Sequence, residues 1–297
     1  MVIEETTYEG CGTDSVTKRR SRVNELKMAA SGKIMQRLTR MDTSQREKRR
    51  GQPLRQASSV LVVDVGGTNV KVLATGQRTP RKIPSGPTMT AQRMVQEVRQ
   101  LAADWPYDVV SLGFPGAVTN GQPVAEPKNL NAGWVQFDFK KAFGCPVKII
   151  NDAAMQALGS YEGGRMLFLG LGTGLGSAMI TDGVLVPMEL AHLRYRKGRT
   201  YEDYVGLRGL KRYGKKRWRR YVTDVVTALR SALLADYVVL GGGNAKKLGK
   251  LPKWARLGNN HHAFTGGFRL WEKEWADERS ACIVRSSESE TKVRDGS

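Results

Sequence analysis

The order of elements along this 297-residue chain predicts a mixed α/β fold, two related α/β domains facing each other across a cleft. Three observations carry that reading. A strand, a glycine turn and a second strand occur twice, around 60–74 and again around 166–180. Segments with helical apolar spacing alternate with short β-branched runs. Several of those runs end in glycine or in Asn-Asp, the residue types that gather at strand ends in open α/β sheets.

Residues 1–58 are rich in Arg, Lys, Ser, Thr and Gln and nearly free of aromatics. They read as a basic, mostly disordered extension. A true start at Met28, Met35 or Met41 would remove it, and a DNA-binding arm is the functional alternative, although no helix-turn-helix pattern is present. Order begins at Ser59. Val60–Val65 and Asn69–Ala74 read as strands joined by the turn at Gly66-Gly67. Met94, Val95, Val98 and Leu101 give Thr90–Ala103 helical spacing. Val109–Phe114 is a buried strand stopped by Pro115-Gly116, and Val147–Asp152 is another, with a helix starting at Ala153–Leu158. Met166–Gly172 and Ser177–Ile180 form the second strand–turn–strand unit. Thr223–Leu234 is an apolar-faced helix leading into the strand Tyr237–Leu240, closed by Gly241–Gly243. The expected domains are 59–150, completed by a helix near 266–282, and 151–265, followed by a polar tail at 283–297.

The bulk numbers exclude several classes. No apolar run approaches the roughly 20 residues that cross a bilayer, and the start lacks a secretory pattern. The expected location is therefore the cytoplasm, with no membrane partner. Cys11, Cys145 and Cys282 are too far apart for a CxxC metal site, so no zinc site is expected. The formal net charge of +20 is unusual and favours polyanionic partners, unless it reflects only a generally basic surface.

Four motifs carry chemistry. In Asp64-Val-Gly66-Gly67-Thr68-Asn69-Val-Lys71, adjacent glycines let backbone N–H groups converge on a phosphate, and Thr68 and Asn69 add side-chain donors. Asp64 is placed to hold Mg²⁺, directly or through water. The plainer reading is an ordinary hairpin. Gly170–Ser177, with Gly172, Thr173 and Gly174 at its tip, makes a second anion-accepting turn. It is neither a Rossmann fingerprint nor a Walker A loop. Asn151-Asp152 stands at a strand end, where Asp152 is either a helix N-cap or a carboxylate able to accept a proton from an attacking hydroxyl. Glu189 and His192, three residues apart, share one helical face or one turn and can hydrogen-bond vicinal hydroxyls of a sugar, His192 being otherwise structural.

In order, Asp64–Lys71, Ile150–Asp152, Gly170–Ser177, Glu189–His192 and Leu240–Gly243 resemble the motifs of the ROK sugar kinases, above all their polyphosphate glucokinase branch. The resemblance covers 59–282. It implies the actin-like, ribonuclease-H-like fold that closes around its substrates. It also implies Asp152 as general base and Asn151, Glu189 and His192 as sugar ligands. Asn129, in Pro127-Lys-Asn-Leu before Trp134, resembles a further sugar-contact segment. Gly241, Gly242 and Gly243 resemble the turn that faces a nucleotide base when ATP is the donor. Many members carry a cysteine-rich zinc loop after the Glu-x-x-His element. Here that stretch is Arg194–Thr200, without cysteine, and Glu202 falls where a last sugar-binding glutamate would lie.

Between Arg194 and Arg220 twelve Lys and Arg side chains face only Glu202 and Asp203, with Tyr213, Trp218 and Tyr221 interleaved. Polyphosphate binding, nucleic-acid binding through stacking and a solvated helix face are the three readings. The expected function is transfer of a phosphoryl group from polyphosphate or ATP, with Mg²⁺, to the 6-hydroxyl of glucose by a homodimer that takes no nucleic acid. The alternatives are a sugar-responsive transcription regulator and a kinase for another hexose, such as mannose, N-acetylmannosamine or fructose.

Overall fold

The computed structural model describes residues 59–272. The expectations for 1–58, 283–297 and the far part of a helix at 266–282 lie outside the described residues. Two five-stranded sheets organise the rest. In the first, β1 (Val60–Val65), β2 (Asn69–Ala74) and β3 (Arg81–Pro84) form an antiparallel meander. β4 (Val109–Phe114) and β7 (Val147–Asn151) extend it in parallel on the other side of β1. The second repeats the plan. β8 (Arg165–Leu171), β9 (Leu175–Thr181) and β10 (Val184–Met188) make the meander, while β11 (Tyr237–Gly241) and β12 (Ala255–Leu257) continue in parallel from β8. The sheet orders β3-β2-β1-β4-β7 and β10-β9-β8-β11-β12 therefore match strand for strand. A small hairpin, β5 (Val118–Thr119) with β6 (Gln122–Pro123), follows β4.

Strands β1 and β4 are buried at every residue, so they read as continuous apolar runs without alternation. Helix α1 (Ala91–Leu101) turns Ala91, Met94, Val95 and Val98 inward. It starts one residue after the expected point because Thr90 is its cap, its hydroxyl accepting from Arg93 N. The short α2 (Phe139–Phe143) precedes β7, α3 (Asp152–Ser160) follows it, and α4 (Tyr201–Val205) stands before the long helix. That helix, α5 (Leu207–Ala232), begins far upstream of the expected Thr223. Its buried stripe, from Trp218 through Val222, Val225, Val226 and Leu229, is continuous, but the dense basic residues around Trp218 hide the period. Gly214, with φ 71° and ψ 161°, interrupts it.

The last element, α6 (His262–Arg269), starts earlier than the expected 266 and lies against the first sheet, with Ala263 and Phe264 packed on Val60, Val62, Leu73 and Val109. Side chains pin it. Ser111, fully buried on β4, donates to Gly267 O at 2.6 Å and accepts from Trp271 Nε1 at 2.9 Å. Lys148 of β7 donates to Leu270 O at 2.6 Å.

Helix α3 joins the two halves. Its Ala153, Ala154, Ala157 and Leu158 pack on Met166, Phe168, Ala178 and Ile180 of the second sheet. Its Met155 reaches the cluster under the first sheet. Where α3 crosses α6 the backbones touch: a Cβ on Gly266 would overlap the Met155 carbonyl, and one on Gly159 would overlap that of His262. Gly266→Ala is therefore expected to force the helices apart, costing about 1–3 kcal/mol and lowering the melting midpoint by roughly 2–12 °C. A calorimetric midpoint equal to that of the parent protein would show that the crossing tolerates a methyl group.

Candidate active site

The ends of β1, β4 and β7 in one sheet, and of β8 and β11 in the other, carry the groups that the motifs single out. Asp64 sits one residue before the end of β1 and is 8% exposed. Its cross-strand partner on β2 is Lys71, whose Nζ lies 3.3 Å from Asp64 Oδ2. Burial pushes the Asp64 carboxyl up, and Lys71 opposes that push. The first glycine turn is held by its carbonyls. Ser85 Oγ donates to Gly66 O at 2.6 Å and Ser85 N to Thr68 O at 2.9 Å, while Gly66 N donates to Asn69 O at 3.1 Å. Among the described residues nothing accepts from the N–H groups of Gly67 and Thr68. Both residues are exposed, so the two N–H groups are open to water or to an incoming anion. Asn129 lies against this turn, its Cβ 3.1 Å from where a Gly67 Cβ would stand.

At the end of β7 the cap of α3 is Asn151, not Asp152. Asn151 Oδ1 accepts from Ala153 N at 2.9 Å and Ala154 N at 3.2 Å, and its Nδ2 donates to Gly116 O at 2.9 Å. Asp152 is thereby relieved of capping and occupies the first helical position, with Oδ1 2.8 Å from Ala153 N. Its carboxyl is pushed up to about 7, first by desolvation, then by the Asp64 charge, with Glu189 adding to the rise and backbone N–H groups opposing it. A half-buried carboxylate that ionises near neutrality is suited to proton transfer.

The second glycine turn joins β8 to β9. Its carbonyls are also engaged: Leu207 N lies 3.2 Å from both Gly172 O and Thr173 O, and Asn244 Nδ2 donates to Gly172 O at 2.9 Å. The N–H groups of Thr173 and Gly174 have no acceptor among the described residues. The turn after β11 leans on this one. Gly242 has φ 80° and a Cβ there would run into the Leu171 backbone, while Asn244 N donates to Leu171 O at 3.0 Å. Lys247 Nζ donates to Asn244 Oδ1 at 2.9 Å. Asn244 and Lys247 escape sequence reading, although a polar residue directly after Gly241–Gly243 was the available signal. Gly243 borders open space.

Glu189 and His192 lie in a turn after β10, not on a helix, 3.9 Å apart and both exposed. Ser177 of β9 ties the turn down, donating to Met188 O at 2.9 Å and accepting from Leu190 N at 3.1 Å. Glu202, on α4, reaches the second glycine turn instead: its Oε2 accepts from Leu175 N at 3.3 Å. The stretch Arg194–Thr200 closes through a backbone bridge. Among the described residues no group of three or more His, Cys, Asp and Glu side chains is placed to hold a metal ion, and no helix is long and apolar enough to cross a membrane.

The basic stretch divides by environment. Arg196 pairs with Asp224 at 3.2 Å and Arg208 with Asp203 at 2.9 Å. Lys211, Lys215, Lys216, Arg217 and Arg220 are exposed and without an acidic partner among the described residues. The interleaved aromatics pack inward or on one another. Trp218 is fully buried, its Nε1 donating to Val205 O at 2.8 Å. Tyr213 stacks on Tyr204 with centroids 5.1 Å apart, and Tyr221 meets both edge-on.

The ROK family model matches residues 60–187. Polyphosphate glucokinase of Mycobacterium tuberculosis (strain CDC 1551 / Oshkosh) is 29% identical over 223 residues, 67% of this chain and 81% of that protein. Two solved structures align along nearly their whole length. The inorganic polyphosphate/ATP-glucomannokinase of Arthrobacter sp. strain KM matches with TM-score 0.62 and 23% identity, covering 72% of this chain and 98% of its own. A ROK family glucokinase of Streptomyces griseus, in complex with glucose and AMPPNP, matches with TM-score 0.61 and 17% identity over 71% and 98%. At these identities the structural likeness carries the fold, which is the actin-like ATPase fold expected from the motifs.

The raised Asp152 carboxyl has a consequence for stability. A carboxyl whose folded pKa lies above its unfolded value destabilises the folded state once ionised. The penalty is absent below the ordinary aspartate value of 3.8, grows as pH rises towards about 7 and is complete above that. Asp152→Asn keeps an oxygen for Ala153 N, so it should melt higher than the parent at pH 8 and equal to it at pH 4. A lower midpoint at pH 8 would contradict the assigned environment.

Proposed function

From the match of the ROK family model to residues 60–187, we propose that the chain is a sugar kinase. It transfers a phosphoryl group from polyphosphate or ATP to the 6-hydroxyl of glucose. The observation that carries this reading is the Asp152 carboxyl, freed from capping by Asn151 and pushed up to about 7 beside Asp64. In the proposed reaction Asp152 takes the proton of the sugar hydroxyl as its oxygen bonds to phosphorus. The bond from phosphorus to the bridging oxygen breaks, leaving a shortened polyphosphate or ADP. The free N–H groups of Gly67, Thr68, Thr173 and Gly174 receive donor oxygens on either side. Asn129, Asn151, Glu189, His192 and Glu202 are the proposed sugar side, and Gly241–Gly243 the base side when ATP is used.

Magnesium is part of the proposal. Mg²⁺ is commonly held by one or two carboxylates and the substrate phosphates. Asp64 fits that role, since it is desolvated and keeps Oδ1 unpaired beside the Lys71 contact. The ion would neutralise charge on the donor.

The relative named polyphosphate glucokinase supports polyphosphate as a donor, and so do the unpaired cations on α5. The buried state of Trp218 and the packing of Tyr213 and Tyr221 against Tyr204 reduce the surface for base stacking, which supports polyphosphate over nucleic acid. The neighbour named a glucomannokinase supports testing mannose beside glucose. A coupled assay crossing ATP and polyphosphate with a panel of hexoses decides the reading. Glucose should be phosphorylated with at least one donor. Failure of every combination, with sugar-sensitive DNA binding in its place, would favour a regulator.

Asp152→Asn should retain glucose binding and lower kcat by about 10²–10⁴-fold, while the parent loses kcat/KM below about pH 7. A variant with near-parental turnover would remove Asp152 from the chemistry. Neutralising Lys215, Lys216 and Arg217 together to Gln should raise KM for polyphosphate much more than KM for ATP. Equal losses with both donors would rule out a polyphosphate track on this helix.

A further inference from the structure

Helix α4 connects the turn bearing Glu189 and His192 to the second glycine turn. On one side, Tyr201 N donates to Leu193 O at 2.9 Å and Glu202 N to Ala191 O at 3.1 Å. On the other, Glu202 Oε2 accepts from Leu175 N at 3.3 Å, and the next residues, Gly206 and Leu207, lie on Thr173 O and Gly172 O. The helix is stiffened by a capping box, Thr200 with Asp203, and by burial of Tyr204 and Val205. The Glu202 carboxylate lies where a Cβ on Gly174 would stand, so a side chain there would displace it. A carboxylate thus stands against a turn whose two remaining free N–H groups, on Thr173 and Gly174, suit a phosphate. Its charge opposes what the turn is shaped to take.

We infer that Glu202 is a positioning residue that couples sugar occupancy to donor binding. This rests on the sugar-kinase reading given above. Without sugar, the Glu202 carboxylate holds Leu175 N–H and repels a phosphate at Thr173-Gly174. Sugar hydroxyls that donate to Glu202 turn its negative charge away from the turn, and the donor then binds more tightly. Because α4 is rigid and shared, the same motion reaches the Ala191 side, and linkage requires the donor to tighten sugar binding by the same factor.

The test is calorimetric titration of the full chain, in buffer containing Mg²⁺, with ATP and with polyphosphate. Each is run alone and with saturating 6-deoxyglucose, which lacks the acceptor hydroxyl and so permits binding without transfer. In the parent protein the sugar should lower donor Kd by about 5-fold or more. Glu202→Gln should lower the sugar-free donor Kd by a similar factor and shrink the sugar effect to under about 2-fold. A general loss of structure would weaken donor binding in both conditions, opposite in sign to this expectation. The inference is overturned if Glu202→Gln leaves sugar-free donor binding unchanged or weaker. It is also overturned, whatever the variant does, if the parent binds donors equally with and without sugar while still phosphorylating glucose. A parent that neither binds sugar nor transfers phosphate overturns the kinase reading itself.

Discussion

Asn151 performs the local act on which the site and the joint between the sheets both depend. Its carboxamide oxygen accepts two N–H groups at the start of α3, and its amide donates to Gly116 beyond the end of β4. The helix begins at a fixed place and angle as a result. Its small residues can then lie between the second sheet and α6, where the backbones touch at Gly159 and Gly266. The same cap leaves Asp152 with only the contact of its Oδ1 to Ala153 N. Had Asp152 been the cap, its carboxylate would accept the exposed N–H groups of the first turn, and its pKa would fall. The chain instead places a neutral amide in the capping role and keeps the ionisable group for the cleft.

The electrostatics of the protein run in opposite senses at long and short range. The sequence carries a net charge of +20, and α5 presents unpaired cations to solvent. That field draws polyanions from a distance. At the site the balance is acidic: the Asp152 carboxyl rises first through desolvation, then through the Asp64 charge, with Glu189 adding to it. Lys71 offsets Asp64 only in part. In the proposed reaction a phosphate donor drawn in by the surface would meet both free backbone N–H groups and carboxylates. A divalent cation on the donor resolves that mismatch, so the proposed need for Mg²⁺ follows from the charge distribution as well as from resemblance.

Much of this was legible in the sequence, for identifiable reasons. β1, β4, β8 and β11 are central strands buried on both faces, so each stands out as an apolar run closed by glycine or a polar residue. The edge strands β3, β10 and β12 are short and half exposed and leave no such mark. α5 was cut short in the reading because Lys and Arg surround Trp218, which is nonetheless fully buried. At the site, residue types told which groups gather but not how they share work. That Glu202 leans on the second glycine turn and that Asn244 clasps Gly172 depend on contacts across 27 to 72 residues of chain. No local pattern encodes them.

The repeated sheet topology sets two glycine turns at corresponding strand ends, yet the turns are not braced alike. The first is held by Ser85, from the same meander that forms it, so its shape is fixed within one sheet. The second is held by Leu207 at the start of α5, by Asn244 after β11 and by Glu202 on α4. Its shape thus depends on elements that also carry the exposed cations and adjoin the Glu189–His192 turn. The repeated plan gives two glycine turns of similar construction, and their different braces make them unequal. A turn fixed within its own meander is insulated from what the other elements bind. In the proposed reading the turn tied to α4 and α5 also responds to what those elements bind, and that asymmetry would let acceptor and donor sense each other.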